Sequence, residues 1–182
     1  MARTVFEVKI LNGYRASGKF YDPKRRHTGT DLDYNYEAFP SPISGLVVKV
    51  AKQKEMGNTI YIRDAWGSIH VFAHFSRFTP VGGDKVVRGQ ILGLTGNTGQ
   101  STTFRHVHYE IITKELRNPK EDYGGKRVLF SFSGYNTDPL KYLKELYLFH
   151  GISTITGGPT GLPKWIHIAK RKLSKIPKWL NT

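Results

Sequence analysis

Not one cysteine occurs among the 182 residues, so neither a disulfide framework nor a cysteine-ligated metal is open to this chain. Any bound metal must be held by histidine, aspartate or glutamate. Acidic residues are scarce too. Fourteen Asp and Glu stand against 28 Lys and Arg, and the net charge of +14 favours polyanionic partners: nucleic acid, anionic lipid, or the teichoic acids and peptide carboxylates of a cell wall. No apolar run approaches a membrane span, and Met1 to Lys9 lack the uninterrupted apolar stretch of a secretory signal. The expectation is a protein not exported by its own N-terminus, which something else must deliver to any target outside the cytoplasm. Long helical periodicity is missing before residue 138, and there is no internal repeat. The H-E-x-x-H helix motif is also absent, so no glutamate general base is expected.

What is present suits a folded β protein. Apolar residues at 38% and aromatics at 13% suffice for one domain with a core, and 19 glycines fit a turn-rich chain. A short alternating run, Val5 to Leu11, leads to a loop-like stretch over residues 21–42, with Pro23, the basic run Lys24-Arg25-Arg26 and the breaker pair Pro40 and Pro42. From Ile43 short β-branched segments recur: Gly45 to Ala51, Thr59 to Arg63, Ile69 to His74, Gln90 to Leu94 and Val107 to Thr113, separated by Gly-containing turns. Such segments at spacings of roughly ten to fifteen residues predict a mainly β fold, an antiparallel sheet or sandwich. Asp138 and Pro139 supply an N-cap and a first helical residue, and Leu140 to Leu146 follow at helical spacing. Residues 150–162 are rich in Gly, Thr and Pro and read as a linker. From Pro163 to Thr182 the chain is basic and amphipathic, with Trp165, Ile168, Leu173 and Trp179 among lysines. The expected organisation is a domain over residues 1–149, a linker over 150–162 and a tail over 163–182.

Three clusters of histidine and aspartate occupy the β-rich part: His27-Thr28-Gly29-Thr30-Asp31, the lone His74 in Val71 to Phe75, and His106-Val107-His108. Zinc accepts imidazole and carboxylate ligands, and a catalytic site needs three of them with one position left open. Two histidines are then left for chemistry, an arithmetic that points to a zinc hydrolase. Residues i and i+2 of a strand share a face, so His106 and His108 project together, about 7 Å apart. His27 and Asp31 flank a glycine that lets a loop turn both side chains toward one ion. Each cluster alone also reads as satisfied structural histidines; the three together, one with an acid, favour a metal. His70 lies four residues before His74 and shares its face if the strand is regular.

The clusters and their surroundings resemble the lysostaphin-type (LytM-like) zinc endopeptidases of peptidoglycan. Those enzymes carry H-x-G-x-D, then Y/F-A-H-L/F-S, a Gly-rich hairpin of the form G-D-x-V-x-x-G-Q-x-I/L-G-x-x-G-x-T-G-x-S, and a closing H-x-H-F/Y-E-I strand. Here the corresponding segments are His27 to Asp31, Phe72-Ala73-His74-Phe75-Ser76, Gly83 to Ser101, and His106-Val107-His108-Tyr109-Glu110-Ile111. They stand in the same order within roughly residues 15–145. The resemblance implies that fold, with Gly-rich groove loops, and one Zn2+ per chain on His27, Asp31 and His108. It implies His74 and His106 as the catalytic pair and Tyr21 as an aid to the transition state. Three segments depart from the pattern: Asp22 to Arg26, between Tyr21 and His27, where a Gly-rich stretch is usual; Thr102 to Arg105, where Gly and Pro are usual; and a longer stretch from Lys114 to Asn136, read as an insertion or extended hairpin. The implied activity is hydrolysis of peptide cross-links in bacterial peptidoglycan by a metal-activated water.

The missing signal and the basic tail lead to the expectation of a bacteriophage protein: a tail-associated lysin in the virion, or an endolysin made in the host cytoplasm and acting on the wall. Residues 151–182 are expected to dock on other phage tail proteins or to lie on an anionic wall polymer or membrane surface; the plain alternative is a helix packed back on the domain. A competing reading is a non-catalytic tail component or wall-binding module that retains fold and zinc. Specific nucleic-acid binding rests on charge alone and leaves three ordered ligand clusters without a purpose.

Overall fold

The computed structural model describes residues 3–16, 27–114, 126–129 and 132–149. In chain order the strands are β1 (Ile10–Asn12), β2 (Thr30–Leu32), β3 (Ala38–Pro40), β4 (Gly45–Gln53), β5 (Gly57–Arg63) and β6 (Ile69–Phe75). They continue with β7 (Arg77–Phe78), β8 (Lys85–Val86), β9 (Ile91–Leu94), β10 (Val107–Thr113), β11 (Lys126–Leu129) and β12 (Phe132–Thr137), followed by helix α1 (Pro139–Phe149). The main sheet runs β1-β2-β10-β6-β5-β4-β8, with the β11–β12 hairpin joined to β10, and a small second sheet runs β3-β9-β7. Every described pairing is antiparallel.

The five β-branched segments fall on β4, β5, β6, β9 and β10 within two residues at either end. The front of the chain differs from expectation. Of the run Val5 to Leu11 only Ile10 and Leu11 enter a strand, while Val5 and Val8 are buried from turns. The loop-like stretch over 21–42 contains β2 and β3, three residues each. Strands that short hold too few positions for a period of two to register, and neighbours rather than local pattern make them extended.

β6 and β10 are buried along their whole length, so apolar and polar residues do not alternate simply there. One face of the sheet carries Ile60, Ile62, Phe72, Val107, Tyr109 and Ile111 into the larger core with Phe39, Leu92, Tyr142 and Leu143. Phe72 stacks on Tyr109 at 4.7 Å between ring centroids, a contact worth about 0.5–1.5 kcal/mol beyond its buried area. The other face carries Tyr61, Val71, Ala73 and Ile112. β10 shares one edge between two partners: β2 pairs with Val107 to Tyr109, and β12 with Ile111 to Thr113. Among the described residues, the stretch from Lys114 to Asn136 thus includes a hairpin that extends the sheet.

Asp138 caps α1 as its sequence predicts. Its Oδ1 accepts from the backbone N–H groups of Leu140 at 3.0 Å and Lys141 at 3.2 Å. The helix is fastened to the larger core through Tyr142, whose hydroxyl reaches Asp64 Oδ2. Asp64 Oδ2 also lies 3.1 Å from His70 Nε2, and His70 Nδ1 lies 2.7 Å from the Tyr109 hydroxyl. His70 is therefore a buried structural histidine.

Candidate metal centre

Antiparallel pairing sets Asp31 on β2 directly opposite His108 on β10, with His27 at the entry to β2. Asp31 Oδ1 lies 3.0 Å from His108 Nδ1 and 3.1 Å from His27 Nε2, and those two nitrogens are 3.0 Å apart. All three side chains are buried. Gly29 makes this approach possible. A methyl group there would run into the Tyr109 carbonyl oxygen and stand 2.9 Å from the His108 ring.

Surrounding acceptors fix which ring nitrogens turn inward. His27 Nδ1 lies 3.0 Å from the carbonyl oxygen of Gly13; a carbonyl only accepts, so Nδ1 holds the proton and Nε2 presents a lone pair. His108 Nε2 faces Glu110 Oε2 at 3.4 Å, which leaves Nδ1 to face inward. Asn12 Nδ2 donates to Asp31 Oδ2 at 2.9 Å, occupying the outer carboxylate oxygen. Three lone pairs so close require a shared positive charge, either a proton or a metal ion.

Electrostatics report the same demand. Burial opposes charge on Asp31, yet the imidazoles of His106, His108 and His27 around it override burial and hold the carboxyl well below the ordinary range. Burial also lowers His108, but the Asp31 and Glu110 carboxylates outweigh it, and the ring is pushed up to about 9. That balance favours positive charge where the three groups meet, and a metal ion bound there would take the place of a proton. Two imidazoles and one carboxylate, their ligand atoms within 4.8 Å of one another, match the donor types and number of a catalytic zinc centre.

His74 reaches this face through a distortion. Its neighbours alternate normally: Val71 and Ala73 point to the site face, His70 and Phe72 to the larger core. Continued alternation would bury His74 in that core. Instead, Asn58 pairs with Phe75 and Ile60 with Phe72, so β6 holds one residue more than β5 between these two pairings, a β-bulge. His74 there adopts a left-handed φ of 68°, and its ring comes 4.7 Å from that of His106 and 6.1 Å from that of His108. The strand is not regular, and His70 and His74 lie on opposite faces. His74 Nδ1 lies 2.8 Å from the Thr98 carbonyl oxygen, leaving Nε2 as the basic nitrogen. Burial, and then the charge of His108, push its pKa down to about 4.

His106 shares the face of His108, as the i, i+2 spacing predicts. Its Nδ1 is 2.9 Å from the Phe104 carbonyl oxygen and its Nε2 3.5 Å from Asp31 Oδ1. The structure therefore gathers His27, Asp31, His108, His74 and His106. Tyr21 lies outside the described residues, as do the linker and the tail.

Glu110 has no role in the sequence reading, although it continues the i, i+2 series from His106 and His108. Fully buried, it accepts from Thr28 Oγ1 at 3.0 Å and from Asn136 Nδ2 at 2.8 Å while facing His108. It ties the turn after His27 and strand β12 to the orientation of a ligand ring.

A model of peptidase family M23 matches residues 25–119. The peptidoglycan DD-endopeptidase ShyA of Vibrio cholerae is 34% identical over 111 residues, 56% of this chain and 25% of that protein, so the match spans about a quarter of this curated relative. Among solved structures, the catalytic domain of the prophage-encoded M23 protein EnpA from Enterococcus faecalis is 31% identical, with a TM-score of 0.53 over 65% of this chain and 92% of that one. The catalytic domain of lysostaphin from Staphylococcus simulans shares the fold, with a TM-score of 0.62 over 79% of this chain and 99% of that one, at 23% identity.

Proposed function

The chain belongs to peptidase family M23, and we propose that it is a zinc-dependent endopeptidase hydrolysing peptide bonds in the cross-links of bacterial peptidoglycan. The observation that carries this reading is the convergence of His27 Nε2, His108 Nδ1 and Asp31 Oδ1, with two further imidazoles beside them on the same face. These three groups would hold the metal. When bound, zinc supplies a Lewis acid and a water acidified to a pKa of about 7.

The chain's own residues supply proton movement. His74, neutral above about pH 4 and with Nε2 unprotonated, is suited to take a proton. His106 is suited to hold a developing oxyanion and to return a proton to the leaving amine. General acid–base help of this kind is typically worth about 10²–10⁴-fold. Tyr21 retains its proposed place as an aid to the transition state.

Purified protein is expected to contain stoichiometric zinc and to release peptide fragments from isolated cell walls, identified by mass spectrometry. His106→Ala should abolish release while zinc content stays near one per chain. Release unchanged in that variant would instead favour a metal-retaining structural or wall-binding protein. The prophage origin of the similar EnpA domain supports placing this chain in a bacteriophage, as a virion-associated lysin or an endolysin. Detection in purified virions distinguishes the first from the second.

A further inference from the structure

We propose that Arg105 and Tyr36 form an anchor for a free carboxylate of the substrate peptide, so that the site favours peptides carrying negative charge beside the scissile bond over uncharged ones. The inference rests on the peptidase reading above and names the substrate chemistry for it.

Arg105 immediately precedes His106, whose backbone is bridged to Gly96. The adjoining Thr95 exchanges hydrogen bonds with Glu37, its N–H donating to the Glu37 carbonyl oxygen at 2.9 Å and its Oγ1 accepting from the Glu37 N–H at 2.8 Å. This places the Asn35–Tyr36 turn beside the segment that carries His106. The Arg105 guanidinium lies over the Tyr36 ring, 4.4 Å from its centroid, and Nη1 donates to Asn35 Oδ1 at 3.4 Å. Both Arg105 and Tyr36 are exposed. Phe104, also exposed, packs its ring 4.8 Å from that of His106.

Three features separate this pair from an ordinary solvated arginine. The cation is oriented by an aromatic face and an amide oxygen, which fixes the planar donor fork that binds carboxylates. Second, among the described residues Arg105 has no carboxylate partner. The acid at hand, Glu37, is engaged on both oxygens by Arg3, at 3.1 and 2.5 Å. Third, Tyr36 holds a left-handed φ of 51° while 46% exposed. Left-handed non-glycine residues are enriched where a loop contacts a ligand. An exposed, oriented and uncompensated cation one residue from a catalytic histidine is a seat for an anionic group of whatever lies across that histidine.

The test uses two peptides of one sequence, one with a free carboxylate next to the scissile bond and the other with that group amidated. Zinc-loaded wild-type protein is expected to cleave the carboxylate form with the higher kcat/KM. Arg105→Gln should lower that value about tenfold, through KM, and leave the amidated peptide unchanged. Tyr36→Phe should keep the preference, whereas Tyr36→Asn, which accepts the same backbone, should weaken it. Binding is measured in parallel with zinc-loaded His74→Asn protein, with and without Arg105→Gln, because Asn tolerates the left-handed φ at that position. Equal kcat/KM or equal affinity for the two peptides, or an equal loss on both in Arg105→Gln, would overturn the proposal. If wild-type protein cuts neither peptide the peptidase reading fails, and the binding comparison still decides the anchor.

Discussion

Glu110 shows how much of a metal centre resides in a residue that touches no metal. Its carboxylate faces His108 Nε2 and is held by Thr28 and Asn136, so the Nδ1 edge of the His108 ring is turned toward Asp31 and His27 by the protein itself. Glu110→Gln, which keeps the volume, should weaken zinc affinity about 10–100-fold in competition with a chelator. Unchanged affinity would show that packing alone orients the ring. His74 makes a prediction about pH. Its folded pKa of about 4 lies below the ordinary imidazole value of about 6.5, so between these values the unfolded chain binds more protons. Stability from this group is intact above pH 6.5 and is lost as pH falls toward 4. Denaturant melts of metal-stripped protein should show that fall, and His74→Asn should flatten it. Parallel curves for the two proteins would count against a buried neutral imidazole.

At the scale of elements, each device does one geometric job. The bulge in β6 turns His74 away from the larger core, where strict alternation would leave it, and toward the partners of His108. The cap at Asp138 starts α1 directly after β12, so that Tyr142 reaches Asp64 and closes the far side of the sheet. Asp138→Ala should cost about 1 kcal/mol in thermal or denaturant unfolding, with zinc content and cleavage rate unaffected because the helix lies behind the site. Loss of metal in that variant would reveal a coupling through the sheet.

Across the whole molecule, the positive charge bears on where the protein binds rather than on the chemistry proposed for it. With +14 on 182 residues, association with an anionic wall should weaken as salt rises, while cleavage of a short soluble peptide changes far less. Turnover of intact wall and of peptide from 50 to 500 mM salt checks this, and equal salt dependence would remove the electrostatic role. Deleting residues 151–182 should reduce wall or partner association and leave peptide cleavage intact. If association is unchanged too, the tail serves neither.

The sequence alone determined the β-rich class, five of the longer strands and the cap of α1, and it singled out the five side chains that the fold gathers on one face. These signals are local: β-branched runs between glycines, an Asp-Pro start, histidines two apart on a strand. Tertiary structure decided the rest. β2 and β3 are too short to announce themselves and exist because β10 and β9 supply hydrogen-bonding edges. The face of His74 depends on one extra residue between two strands, which periodicity within one segment does not contain. Glu110 gained its role only when Thr28 and Asn136, distant along the chain, met at its carboxylate. Residue type fixes which atoms are able to bind a cation; only the fold brings them within 3.1 Å of one another.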